Sequence, residues 1–378
     1  MMKKSISLLV LVLIALSMSA QSDFDIAKEF MSKKGKNIVD NSRAMTRGVS
    51  DKKYSIFHGD DGKGFCIVAN GNVVGYDTDN VASEDEMPCC LKELILSSYT
   101  KKAKTRGDDY VPDWWTPRNV MPINPLMTTK WSQNSPYNDI ERRNGICAGI
   151  AYAQILHYFR IPQTFEDRTT SDGEYFPITT FNHDLMLDEY VKGKYTEEQA
   201  YEVAKFIHYY CHIDCYGLED VFGMESHWVE SDSTNHYAKI DEILEKGIPL
   251  WVMGKGIREG SWHAFVLDGR DSEGRYHANL GFGGNWDGYY VLPDCNEHFD
   301  NYDGDFYVHK YMSSCSFGFG YIIPKLFSWS YTTDVAKPFI YVSSSDDVYN
   351  LQGVKVGNSL EGLPKGVYIQ NKKKQVVK

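Results

Sequence analysis

A thiol attacks a carbonyl carbon well only as the thiolate, so it needs a pKa lowered by a helix N-terminus, a histidine, or both. Cys147 stands where such help is available. Gly145 and Ile146 precede it, and Ala151, Ile155 and Tyr158 then recur at helical spacing. The pattern predicts an apolar, buried helix over 147–159 with Cys147 in its first turn, where the helix dipole favours the thiolate. Taken locally, the same pattern fits a small core cysteine equally well.

His263 lies in the strand-like run Ser261 to Gly269, and Asp271-Ser272-Glu273-Gly274 turns the chain into a partner strand, Arg275 to Leu280. If Gly269 pairs near Arg275, the side chain of Asn279 shares a face with His263. An amide there can hold the imidazole in the tautomer that accepts the thiol proton. A register slip of one residue would remove it to the other face. Gln133, in Trp131-Ser132-Gln133-Asn134, lies shortly before the cysteine helix. Its side-chain N–H beside the Cys147 backbone N–H would make an oxyanion hole. His208, Cys211, His212 and Cys215 also fall at helical spacing, but a His-Glu-x-x-His form is absent and no metal or other cofactor is expected. Asp300 to Asp305 reads as an acidic turn, because it lacks the terminal glutamate of a calcium loop.

The elements that must position these residues form an α+β chain. Met1 to Lys4 is a basic head, Ile6 to Leu16 an apolar run, and Ser17 to Ala20 a small-residue exit, the pattern of a secretory signal over 1–20. A secreted or cell-surface protein is therefore expected. Its 378 residues allow two or three domains, and 42% hydrophobic content makes them globular. The net charge of −11 argues against a general nucleic-acid binder. Eight scattered cysteines (Cys66, Cys89, Cys90, Cys147, Cys211, Cys215, Cys295 and Cys315) do not make a disulfide scaffold, and no pairing follows from their spacing.

Residues 21–118 begin with a helix over 25–34. A hairpin at Asn70-Gly71 and a second helical stretch, Leu91 to Tyr99, follow. The charged run Lys101 to Asp109 is an exposed linker open to cutting. Residues 119–330 place helices first, the second over 196–212, and strands later, an α+β order with segregated layers. Residues 336–378 alternate short strands with glycine, asparagine and proline, reading as a small all-β appendage.

Four blocks in order carry a resemblance: Thr129 to Asn138; Gly145-Ile146-Cys147-Ala148 with Ala153 to Tyr158; Trp262 to Gly269; and Asn279 to Tyr290. In these the chain resembles the streptopain family of papain-like cysteine peptidases. Residues Phe65 to Tyr76 and Met87 to Leu94 are similar to that family's inhibitory propeptide. The resemblance implies a papain-like fold over 119–330 and a zymogen held silent until residues up to about 106–120 are removed. Within it, Cys147 and His263 would be the catalytic dyad and Gln133 an oxyanion donor. Gly281, Gly283, Gly284 and Trp286 would belong to a mobile loop bordering the cleft. Protein or peptide substrates are implied, with an apolar side chain on the N-terminal side of the scissile residue. Where the family reads Asn-Trp-Gly-Trp-Gly-Gly, this chain has Leu280 and Phe282, so weaker shielding of the histidine by Leu280 is expected.

The tail resembles the C-terminal sorting or attachment modules of Bacteroidetes-type exported proteins, through Val348 to Gly353 and Gly366 to Ile369. That resemblance implies export machinery or a cell surface as partners. The same dyad would also serve a papain-like amidase or transamidase, and a catalytically impaired adhesin or binding protein would keep these elements without turnover.

Overall fold

The computed structural model describes residues 22–40, 54–83, 87–88, 91, 116–142, 145–161, 164–165, 167–169, 173–211, 224–228, 236–255, 262–292, 316–324, 348–350, 355–357, 359–363, 366–370 and 373–377. The signal-like residues 1–20, the linker 101–109, all of the stretch 91–99 except Leu91, and the acidic turn 300–305 lie outside these residues. The helices are α1 (Asp23–Lys33), α2 (Cys147–Phe159), α3 (Glu197–Cys211) and α4 (His236–Glu245). The strands before α3 are β1 (Ile38–Val39), β2 (Tyr54–Gly59), β3 (Phe65–Ala69), β4 (Asn72–Asp77), β5 (Thr164–Phe165), β6 (Arg168–Thr169), β7 (Tyr175–Phe176) and β8 (Thr179–Thr180). Next come β9 (Met224–Trp228), β10 (Leu250–Lys255), β11 (Trp262–Arg270), β12 (Tyr276–Asn279), β13 (Gly288–Tyr290) and β14 (Ser316–Pro324). The tail holds β15 (Val348–Asn350), β16 (Lys355–Gly357), β17 (Gly366–Gln370) and β18 (Lys373–Val377). The fold is α+β with an antiparallel sheet. No helix among the described residues is long and apolar enough to cross a membrane.

The chain divides into two compact units that are not single segments. Unit 1 is Met1–Asn124, Gly254–His263 and Gly269–Ser316. Unit 2 is Pro125–Met253, Ala264–Asp268 and Phe317–Lys378.

Unit 1 begins with α1, whose start is fixed by the Ser22 hydroxyl accepting from Asp25 N–H at 3.2 Å. Acidic residues fill its first turn and Lys33 its last, matching the helix dipole. Ala27 and Met31, four apart, pack with Phe57, Cys66, Val68 and Tyr76 of the sheet. The hairpin of β3 and β4 turns at Asn70 and Gly71, both at positive φ (48° and 75°), as the Asn-Gly pair predicts. The sheet runs β1-β2-β3-β4-β13-β12, with β11 next. Strand β4 pairs antiparallel with β13, Tyr76 opposite Tyr289 and Gly75 opposite Tyr290. A Cβ on Gly75 would lie 2.9 Å from the Tyr290 ring and 3.1 Å from Ile67, so this crossing needs glycine.

The turn falls at Asp271 to Gly274 as expected, but the pairing into it runs two residues further than Gly269 with Arg275. Asp271 N–H donates to Arg275 C=O at 2.9 Å, and Gly274, with φ 90°, closes the turn. The cause is the Asp271 side chain, which accepts from the N–H groups of Glu273 and Arg275 and from the Arg275 guanidinium. Arg275 is 2% exposed, also donates to Val73 C=O at 2.9 Å, and lies 4.9 Å from the Phe30 ring centroid. It thus joins the hairpin to both α1 and β4. Removing one partner of a buried pair leaves the other charge uncompensated. Arg275→Ala is accordingly expected to lower stability by about 3–5 kcal/mol. An unfolding free energy from urea titration within about 1 kcal/mol of wild type would show that the guanidinium contributes little.

Unit 2 holds α2 and α3 with β10, β14 and β9 side by side in that order. The expected helices at 147–159 and 196–212 appear as α2 and α3. Trp131 is fully buried, its indole N–H donating to Leu187 C=O at 2.8 Å. Tyr152 of α2 stacks on Trp251 of β10 at 4.8 Å. Two short ladders, β5 with β8 and β6 with β7, lie between the helices in sequence. The tail strands form an antiparallel sheet in the order β16-β15-β17-β18. The expected strand Phe339 to Val342 lies outside the described residues.

Candidate active site

Cys147 and Gln133 belong to unit 2, His263 and Asn279 to unit 1. Cys147 opens α2. Gly145, at φ 77°, turns the chain into the helix. Ile146 caps it without a side-chain hydrogen bond, and the first turn holds no acidic residue. No carboxylate there opposes a thiolate at the positive end of the dipole. Every residue from Gly149 to His157 is buried, whereas Cys147 is half-buried. A reactive thiol needs that combination of a fixed helix and partial access.

Gln133 is half-buried in a run of turns between Trp131 and Glu141. Tyr137 N–H to Asn134 C=O and Arg142 N–H to Asn138 C=O shape that run. Trp131 N–H donates to the Gln154 side-chain oxygen at 3.4 Å, and the Trp131 ring packs 5.1 Å from that of His157. Both contacts tie the run to α2.

In unit 1, His263 is 3% exposed. Its Nε2 stands 2.8 Å from the Leu280 carbonyl oxygen. A carbonyl only accepts, so Nε2 carries the proton and Nδ1 of the neutral ring is the acceptor. Burial pushes the His263 pKa down to about 4, with the Leu280 carbonyl pulling the other way. The imidazole is therefore a neutral base near pH 7. Asn279, 4% exposed, accepts from Gly281 N–H through its side-chain oxygen at 3.2 Å. The backbone acceptor for the imidazole thus comes from the residue after Asn279.

Leu280 and Phe282 both contact the imidazole of His263. The Phe282 ring stacks on the His263 imidazole at 5.2 Å and 25°. Leu280 is fully buried and contributes its carbonyl, while its N–H donates to Asp287 at 2.7 Å. Phe282 therefore supplies the ring over His263. Neither its role nor that of Asp287 was read from sequence, and no local signal distinguishes them.

Four of the six residues Gly281–Trp286 have positive φ: Gly281, Gly283, Gly284 and Trp286. For Trp286 that conformation is strained, and its surroundings hold it. Its backbone N–H donates to Val81 C=O at 2.9 Å and its indole N–H to Ser83 C=O at 2.8 Å. Phe65 packs 5.0 Å away, and the Tyr290 hydroxyl donates to Trp286 C=O. The loop expected to be mobile is here tied to residues 80–83, since Ser83 N–H also bonds Asn285 and Asn80 bonds the Asp287 carbonyl.

The candidate metal residues are otherwise engaged. His208 meets Glu141 and Cys211 lies against Gly149, while His212 and Cys215 fall outside the described residues.

Residues 212–290 match the Peptidase C10 family. This span includes His263 and Asn279 but not Cys147 or Gln133. Streptopain of Streptococcus pyogenes is 42% identical over 59 residues, 16% of this chain and 14% of that protein's length. A serotype M28 streptopain is 41% identical over the same number of residues. Among solved structures, a fragment of Prevotella intermedia prointerpain A aligns with TM-score 0.48 and 22% identity, covering 66% of this chain and 91% of that one. Active interpain A cysteine protease from the same organism aligns with TM-score 0.38 and 26% identity, covering 45% of this chain and 85% of that one. The chain thus carries a Peptidase C10 family region over residues 212–290, and it resembles streptopain.

Proposed function

We propose that this chain is a cysteine endopeptidase made as a zymogen. The observation that carries the reading is the family region around His263, in which Nε2 donates to the Leu280 carbonyl, so that Nδ1 is the basic nitrogen of the neutral ring. Cys147 at the start of a buried helix supplies the matching nucleophile. In the proposed cycle the Cys147 thiol gives its proton to His263 Nδ1 and the sulfur attacks the peptide carbonyl. Gln133 and the Cys147 N–H stabilise the oxyanion, and His263 protonates the leaving amine. Water, deprotonated by His263, then hydrolyses the acyl-thioester. Asn279 is proposed to orient His263 once the loop is released.

Residues 21–118 are proposed as the inhibitory propeptide and 119–330 as the catalytic domain, exported through the signal-like residues 1–20. The pinning of Trp286 by residues 81–83 supports the inhibitory role. The tail is proposed as a sorting or attachment module.

The processed protein is expected to hydrolyse casein and to lose that activity in step with alkylation of Cys147, mapped by mass spectrometry. In the unprocessed chain Cys66 serves as the control for the alkylation, because burial pushes its thiol up to about 12 and keeps it unreactive. Casein hydrolysis that survives full alkylation of Cys147 would overturn the proposal.

A further inference from the structure

We infer that the last turn of α3 is a brace that positions the nucleophile, acting through a hydrogen bond between His208 and Glu141. This deepens the peptidase reading and rests on it for its kinetic arm. His208 Nδ1 stands 2.6 Å from Glu141 Oε2, with side-chain exposures of 20% and 3%. A carboxylate so far removed from water needs a donor of that kind. His208 is itself held, its ring packed 5.2 Å from Phe176. Its neighbour Tyr209 packs on Phe165 at 4.7 Å and donates to Pro177 C=O at 3.1 Å.

One turn further along α3, Cys211 lies against Gly149 of α2. A Cβ at 149 would come within 2.5 Å of the Cys211 sulfur and 3.3 Å of its backbone, so the two helices meet there at glycine distance. A single helical turn therefore touches the chain on both sides of Cys147: at Glu141, six residues before it, and at Gly149, two residues after. Glu141 also ends the run of turns that carries Gln133. The contact at Glu141 and the contact at Gly149 together fix the spacing between the oxyanion donor and the nucleophile. Such spacing matters to a fraction of an ångström, because misplacement by about 1 Å can cost 100-fold in rate. His208 and Glu141 are positioning residues in this scheme, not catalytic ones.

His208→Ala is expected to lower kcat about tenfold or more with KM within about twofold, since the interaction serves the transition state. His208→Gln, whose amide can still donate to Glu141, is expected to recover to within about threefold of wild type. The rate of Cys147 alkylation by iodoacetamide should fall and recover in the same order. That arm needs no peptidase activity. If wild type cleaves no peptide, the peptidase reading fails while alkylation still reports on the brace. Glu141→Ala removes the buried charge instead of stranding it, so it is the variant to read if His208→Ala does not fold. Wild-type kcat and alkylation in whichever alanine variant folds would overturn the inference. So would a loss carried wholly by KM, or a glutamine variant no better than alanine.

Discussion

A Cys147→Ala chain is expected to lose peptide hydrolysis and self-processing together, with kcat reduced by at least about 10⁴-fold. The methyl group leaves no nucleophile, and the residual rate would come from the oxyanion donors and substrate binding alone. The fold should tolerate the change. Cys147 is half-buried at the first position of α2, and alanine is the strongest helix former. Urea midpoints of the two chains should therefore coincide. Incubating both chains and sequencing the N-termini of the products reads processing directly. Self-processing at wild-type rate in the alanine chain would remove Cys147 from the mechanism.

Acidification is expected to destabilise the folded chain steeply between pH 6.5 and 4. Burial pushes His263 down to about 4 and His157 down to about 3, against about 6.5 in the unfolded chain. His157 is further lowered by His183, whose Nδ1 lies 3.0 Å from its own, and by Arg160, while Asp184 acts in the opposite sense. For each depressed histidine the unfolded state binds a proton that the folded state does not. Stability is therefore fully present above pH 6.5 and falls as pH falls. The His263 contribution is exhausted near pH 4 and that of His157 near pH 3. The shifts correspond to roughly 3 and 5 kcal/mol, a large part of the 5–15 kcal/mol that domains possess. Asp77 works the other way, because burial raises its carboxyl pKa and acid protonates it more readily folded than unfolded. Urea midpoints that stay level from pH 7 to pH 4 would contradict this account.

Sequence revealed those features whose causes are local. Asn70-Gly71 demanded a hairpin, and the apolar spacing after Cys147 demanded a buried helix; both are present. The turn at Asp271 to Gly274 was legible, but Arg275 pairs with Asp271 and not Gly269, because the Asp271 carboxylate captures two N–H groups, a choice that strand periodicity does not encode. The partner of Glu141 is 67 residues away, and that of Trp286 lies 203 residues before it, so neither pairing leaves a local mark. His208 and Cys211 illustrate the ambiguity of helical spacing. Their positions suit a metal, but the distant Glu141 and the glycine at 149 give each a structural task. Phe282 shows the same limit, since its ring lies over His263 of β11, a contact that leaves no local mark in the sequence.

In the proposed zymogen, the β4–β13 pairing would make being cut and letting go two separate events. Hydrolysis anywhere in residues 92–115 breaks no contact of Tyr76 with Tyr289, of Arg275 with Val73, or of Trp286 with Val81 and Ser83. A nicked chain therefore remains a two-piece complex, with Trp286 still held at positive φ. Dissociation of the N-terminal piece would uncover Trp286 and Tyr290, which Phe65 now packs against, and leave β13 with an open edge. The lag between nicking and the onset of activity would then be the lifetime of that complex, set by dilution and temperature and not by how fast the bond is cut.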